Sequence, residues 1–347
     1  MIGKLYSMVR GQLPPKYQSV LTRMVFALPW KPYVRHDGLD PSIKFPGKQR
    51  GGLILSADFE MSWALRYSKK SRNFLELGRR ERENVPQIVK MLEEYNIPVT
   101  WATVGHLFLK ECRKGDHDWM SRIPHFDDHW RFTEGDWFDH DPCSDYLQDG
   151  EWYAPDLIGQ ILQSKVGHEM GCHTFSHIDC TYKNCPPQVL DDELTACARV
   201  AADYRLKLTS MVFPGGTAGN FEILKKHGYR IYRKNIRAEL AYPFYDEHGL
   251  LITPTSASIA DNGLGWSKEY YLYRYKKYID KAIRTHTVAH LWFHPSIDPR
   301  TLHEVFPQVL KYAATRRDAG KLWIGTMGEM ADHIFRNKII SCQPSSE

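Results

Sequence analysis

At 347 residues the chain is long enough for one large barrel or two ordinary domains, and its 42% hydrophobic and 25% charged content is that of an ordinary soluble globular protein. A formal net charge of +5 is too small at this length to argue for nucleic acid. No stretch approaches the roughly 20 apolar residues of a membrane span, no signal-peptide pattern is visible, and seven scattered cysteines without a C-x2-C pair read as reduced thiols of a cytoplasmic protein.

Residues 1–48 form a basic extension. Lys4, Arg10, Lys16, Arg23, Lys31 and Arg35 occur without one acidic residue over about the first 36 positions, interleaved with apolar residues such as Leu5, Val9, Leu21 and Phe26. Such an arm either makes peripheral membrane contact on an anionic surface or packs as a helix on the domain with its basic residues solvated; packing is the favoured reading.

Residues 49–335 read as one catalytic domain and 336–347 as a C-terminal tail. Gly51–Glu60 is a buried strand ending in carboxylates, and a charged helical stretch follows from about Gly78 to Tyr95. Further strand-like runs occur at Ile97–Val104, Gly167–His173, Ser210–Pro214, Arg230–Arg233, Leu250–Ser256, Ala289–His294 and Lys321–Met327. Helical patterns at Pro187–Tyr204, Phe221–His227, Lys268–Thr285 and Arg300–Gly320 separate most of them. Strand-then-helix alternation at this spacing predicts an α/β fold, a distorted (β/α) barrel of seven or eight units.

About 115–156 breaks the rhythm as an acidic-aromatic insertion. Asp and Glu crowd there against Arg122 and Arg131, while Trp119, Trp130, Trp137 and Trp152 argue against disorder. It reads as an ordered excursion lining a substrate cleft. The aromatic share of the whole chain, 13%, is high, and aromatic faces stack on sugar rings as readily as they fill cores. The insertion's histidines lack paired spacing, so a second metal is not expected.

Reactive side chains of parallel barrels gather at the C-terminal ends of strands. The first strand ends in Asp58-Phe59-Glu60, which alternation places as two acids on one side with Phe59 opposite. Another delivers His173 and His177, whose i, i+4 spacing puts both imidazoles on one face if Thr174–His177 open a helical turn, an arrangement suited to a divalent metal. A capped helix start with merely polar histidines is the plainer alternative. Phe213-Pro214-Gly215-Gly216-Thr217 offers backbone N–H groups to an oxyanion. Trp292-Phe293-His294-Pro295 sets Trp292 beside His294 at the rim, where His294 is either an acid or a buried strand histidine. Together these are the parts of a metal-assisted amide hydrolase.

The order of these motifs resembles the polysaccharide deacetylase, or NodB-homology, family of carbohydrate esterases over roughly residues 50–333. His173-Thr174-Phe175-Ser176-His177 is similar to its H-[ST]-x-x-H metal motif, Asp58-Phe59-Glu60 stands for its acid pair, and Trp292–Pro295 resembles the motif that supplies the catalytic histidine. The resemblance implies hydrolysis of an N-acetyl or similar acyl group on a carbohydrate, whether polymeric, lipid-linked or nucleotide-linked, in surface-glycan assembly. It implies one divalent metal ion, zinc by preference, held by His173, His177 and Glu60, with Asp58 as base and His294 as acid; the reverse roles of Asp58 and Glu60 stay open. Pro214, Gly215, Gly216 and Trp292 would serve the oxyanion and substrate. Two departures stand out. Asp58 and Glu60 are not adjacent, and the third motif lacks its arginine, since Met211, Val212 and Phe213 precede Pro214, so Arg233 or another cation is the substitute to look for. A carbohydrate-binding pseudoenzyme and, less favoured, a glycosidase are the rival readings.

Overall fold

The structure, a computed structural model, describes residues 33–35, 45–67, 73–125, 132, 134–235, 239–260 and 267–341. The basic residues of the arm before Tyr33 lie outside the described residues, and so does the choice between its two readings. In chain order the strands are β1 (Tyr33–Val34), β2 (Gly51–Phe59), β3 (Thr100–Thr103), β4 (Glu169–Cys172), β5 (Ser210–Val212), β6 (Ile231–Lys234), β7 (Glu239–Leu240), β8 (Phe244–Tyr245), β9 (Leu251–Pro254), β10 (Ala257–Ser258), β11 (Val288–Phe293) and β12 (Leu322–Gly325). The α-helices are α1 (Phe74–Tyr95), α2 (Pro155–Leu162), α3 (Pro187–Asp203), α4 (Phe221–Lys226), α5 (Lys268–Thr285), α6 (Phe306–Asp318) and α7 (Met327–Ser341).

β2 is buried along its whole length, as expected of a parallel strand covered on both faces. β11 flanks one side of it. The other side is divided: β12 pairs with Gly51–Ile54 and β3 with Ser56–Phe59. From β3 the sheet runs on through β4, β5, β6 and β9, all parallel. β9 then bends through Thr255 and Ser256 into β10, which pairs in parallel with β11. Ser256 N also donates to His290 O at 2.8 Å, so the bend ties the two ends of the sheet together. The expected distorted (β/α) barrel is therefore present, and the split beside β2 and the broken β9–β10 stave are its distortions. Close helix packing requires a small residue at the start of β2: a Cβ on Gly51 would stand 2.7 Å from the Ile283 backbone of α5.

The predicted helices appear at nearly their expected bounds, except that the stretch from Arg300 opens as a π-helical turn at Thr301–Val305 before α6. The insertion is ordered where described. Phe132, Trp137, Trp152 and Tyr153 are buried in the main core, and the Trp137 indole donates to Ser176 Oγ at 2.7 Å. The end of the arm also docks, since β1 pairs with β7 and the Arg35 guanidinium lies 3.9 Å from the Phe244 ring centre.

Candidate active site

β2 ends with Asp58 and Glu60 directed to one side and Phe59 sealed in the core. The next residue, Met61, has a φ of 47°, a left-handed conformation that a non-glycine side chain adopts only when something holds it. The holder is Glu81 of α1. Its carboxyl accepts from Met61 N at 2.7 Å and from Glu60 N at 3.4 Å. Burial and the nearby Glu60 charge push the Glu81 pKa well above the ordinary range.

His173 and His177 do come together, but not on a helical turn. Thr174 and His177 have φ of 57° and 58°, so the segment after β4 is an irregular loop. Its shape is imposed by Glu193 of α3, whose Oε2 accepts from Phe175 N at 2.7 Å and Ser176 N at 2.8 Å. Arg66 fastens the other side by donating to Ser176 O at 2.8 Å. A four-residue spacing brought the imidazoles together here through tertiary contacts rather than helical periodicity.

The two rings converge on one atom. Glu60 Oε2 lies 3.0 Å from His173 Nε2 and 2.9 Å from His177 Nε2. His173 Nδ1 is 2.7 Å from the carbonyl oxygen of Val212, which can only accept, so Nδ1 carries a proton. A neutral His173 then points its Nε2 lone pair at a carboxylate oxygen. Two acceptors at 3.0 Å are stable only with a proton or a cation between or beside them, and one oxygen faced by two imidazoles suits a divalent cation. The donor set Glu60, His173 and His177 thus fits a metal.

Asp58 stands apart from that set. Arg233 of β6 grips both its oxygens, Nη1 at 2.5 Å from Oδ1 and Nη2 at 2.6 Å from Oδ2. Burial opposes the charged carboxylate, but the Arg233 guanidinium outweighs it and holds the Asp58 pKa below its usual value. Arg233 is itself positioned by Ser56 Oγ at 3.0 Å and by the Trp292 ring 4.8 Å away. Ser56 in turn meets His290 Nε2 at 2.9 Å, and Thr253 meets His290 Nδ1 at 3.1 Å. The arginine missing from the third motif on β5 therefore has a counterpart one strand over, with Val212 and Arg233 as register partners.

His294 closes the group from β11. Its Nε2 lies 3.2 Å from Glu60 Oε1, and its side chain is 39% exposed. Burial disfavours the imidazolium, yet Glu60, Asp58 and Glu81 override it and raise the pKa to about 9. The same contact, with those of His177 and His173, keeps Glu60 well below the carboxylate range against the opposing effect of burial. Trp292 meets the His294 ring edge-on at 5.3 Å.

The Pro214–Gly216 turn departs from expectation in one respect. Gly216 N donates to Phe213 O at 3.0 Å inside the turn, so it is not available to an oxyanion, whereas Gly215 is exposed. Glu81 and Glu193 were not singled out from sequence. Their signal was legible: each is a carboxylate on the apolar face of a helix, Glu81 before Val85 and Ile88, Glu193 beside Leu190 and Leu194.

Residues 74–232 match the family model described as polysaccharide deacetylase. That span holds His173, His177 and Pro214–Gly216, and leaves Asp58, Glu60, Arg233 and His294 outside it. No match was found among curated proteins. The chain is similar to a solved structure described as a polysaccharide deacetylase from Mycobacterium smegmatis, with a TM-score of 0.62 and 12% identity over 85% of this chain and 94% of that one. A second structure so described, from Pseudomonas aeruginosa PAO1, gives 0.59 and 12% over 84% and 93%. The Puue allantoinase gives 0.60 and 13% over 85% and 93%. At these identities the structural likeness is one of fold. The resemblance read from the motifs therefore holds: residues 74–232 match the polysaccharide deacetylase family model, and the chain has the (β/α) barrel those structures share.

Proposed function

We propose that this protein hydrolyses an N-acetyl, or similar acyl, group from a carbohydrate, with His173, His177 and Glu60 holding one divalent metal ion, zinc by preference. The observation that carries the reading is the convergence of both imidazoles on Glu60 Oε2 beside a separate, arginine-paired Asp58. Bound there, the metal would supply Lewis-acid polarisation of water and of the amide carbonyl. Asp58 takes a proton from the attacking water; each of its oxygens keeps a second lone pair beyond the one Arg233 uses. Arg233 keeps that carboxylate ionised and oriented. Gly215 N–H faces the carbonyl oxygen as negative charge develops on it. As the C–N bond breaks, His294 gives its proton to the departing nitrogen, leaving a carboxylic acid and an amine. Trp292 offers a half-buried aromatic edge to a sugar ring.

The carrier of the sugar, polymer, lipid or nucleotide, is left to assay, as is the place of the reaction in surface-glycan assembly. A cytoplasmic location belongs to the same proposal, with the arm packed on the domain as the favoured reading and peripheral membrane contact as the alternative. The test is acetate release from polymeric, lipid-linked and nucleotide-linked N-acetylhexosamines by protein of known metal content. Release that requires metal supports the reading; a metal-loaded protein that binds these sugars and never releases acetate supports the rival, a binding protein in which Arg233 has immobilised Asp58. Release of shortened glycans instead would favour the glycosidase.

A further inference from the structure

A second group of metal-type side chains lies where the insertion meets the barrel. His106 follows β3, Cys112 lies on the chain leading to the insertion, and His117 and Asp141 come from the insertion itself. One ligand atom from each lies within 4.8 Å of all the others. Asp141 Oδ2 is the hub, 3.0 Å from His106 Nε2, 3.5 Å from His117 Nε2 and 3.3 Å from Cys112 Sγ. A tetrahedral zinc with bonds of about 2.0–2.3 Å needs ligand–ligand edges of roughly 3.3–3.8 Å, so those three edges are nearly in place.

The hydrogen bonding points the same way. His106 is fully buried, and its Nε2 and that of His117 both face Asp141 Oδ2 without a well-aligned hydrogen bond. Leaving such atoms poorly paired is costly, and a cation at the common focus would engage Nε2 of each ring. Asp141 has the support that a ligating carboxylate usually has. Its other oxygen accepts from Tyr153 OH at 3.0 Å and from Cys143 N at 3.0 Å. A cavity of about 350 Å3, lined in part by His117, Asp141 and Cys143, gives a path from solvent.

We infer that His106, Cys112, His117 and Asp141 form a second metal site, a closed four-ligand structural zinc site that staples the acidic-aromatic insertion to the barrel. All four positions are protein ligands, which marks a structural site rather than a catalytic one. The staple bears directly on the candidate active site. Phe175, between His173 and His177, packs its ring 5.5 Å from His106 and 5.3 Å from His117, and His106 N donates to Phe175 O at 2.9 Å.

The single thiolate distinguishes this site from the other one. Full-length protein produced in cobalt-supplemented minimal medium should show a near-ultraviolet thiolate-to-cobalt charge-transfer band. The His173→Ala/His177→Ala variant should keep that band and about one equivalent of metal, while Cys112→Ser should lose the band. A cobalt-containing wild type without the band, a band that survives in Cys112→Ser, or a double-histidine variant that retains no metal would each overturn the inference, and would show Asp141 to be the hub of a metal-free hydrogen-bond network. The wild-type spectrum and the double-variant metal content do not depend on Cys112→Ser folding.

Discussion

The barrel rim and the base of the insertion each gather two histidines around one carboxylate, Glu60 in the first and Asp141 in the second. Their surroundings differ. Glu60 turns its second oxygen to His294, which is partly exposed, and the neighbouring Asp58 is engaged by a cation rather than by the histidines. Asp141 has no exposed side-chain surface, and Cys112 supplies a fourth donor. One arrangement has a partly exposed histidine at its edge and, on the proposed reading, separates a base, an acid and a metal-type set. The other spends every group on closure. On the proposed readings the same residue types serve chemistry in one place and attachment in the other, and what separates them is the partly exposed His294 beside Glu60 against the closed shell of Asp141.

The comparison can be broken most severely at Asp58. Asp58→Asn should lower kcat by about 10²–10⁴-fold, the usual worth of a positioned base, and leave metal content unchanged. Glu60→Gln should instead lose the rim metal. Metal titration of the two variants with the opposite result would exchange the two roles.

Arg233→Met tests whether the rim is also a structural element. It leaves a buried carboxylate without its partner, and breaking such a pair costs about 3–5 kcal/mol. Denaturant melts should show that loss at neutral pH, and it should diminish in acid. The sign follows from the lowered Asp58 pKa: the pair's contribution is complete above the ordinary carboxylate range and is lost as pH falls through the depressed value. A variant as stable as wild type at neutral pH would remove Arg233 from its assigned place.

Tyr153→Phe probes the closed cluster. The hydroxyl donates to Asp141 and lies 3.1 Å from Cys112 Sγ, so its loss should cost about 1–3 kcal/mol by unpairing buried groups. Turnover well below the melting temperature should change little. A variant that keeps its stability and loses turnover would mean that the two clusters are one functional unit.

The smallest effect concerns His294. In chelator-treated protein its pKa is raised from 6.5 to about 9, so its contact with Glu60 stabilises fully below about pH 6.5 and fades as pH rises through about 9. The difference in melting temperature between wild type and His294→Gln should shrink across that window. A difference that stays constant would place the His294 charge elsewhere.

Much of the site was legible because it rests on local pattern. A buried apolar run ending in alternating acids, and two histidines after a short strand, are features that a strand end produces wherever the barrel places it. Arg233 could be proposed from sequence only as one cation among several. The turn proposed for Thr174–His177 was wrong because spacing alone does not fix φ; Glu193 and Arg66, distant in sequence, hold that loop open. Gly216 failed as an oxyanion donor for a similar reason, its N–H being used by the turn that contains it.

What the sequence by itself determined is the alternation of elements and the chemical type of each strand end, because hydrophobic periodicity and strand geometry are properties of neighbouring residues. Tertiary structure alone decided which carboxylate pairs with which cation, and brought His106, Cys112, His117 and Asp141 to a single point without any spacing that announces it. The physical reason is range. Backbone conformation follows contacts between near neighbours, whereas a buried charge or lone pair is satisfied by whatever the closed barrel brings within about 3 Å of it.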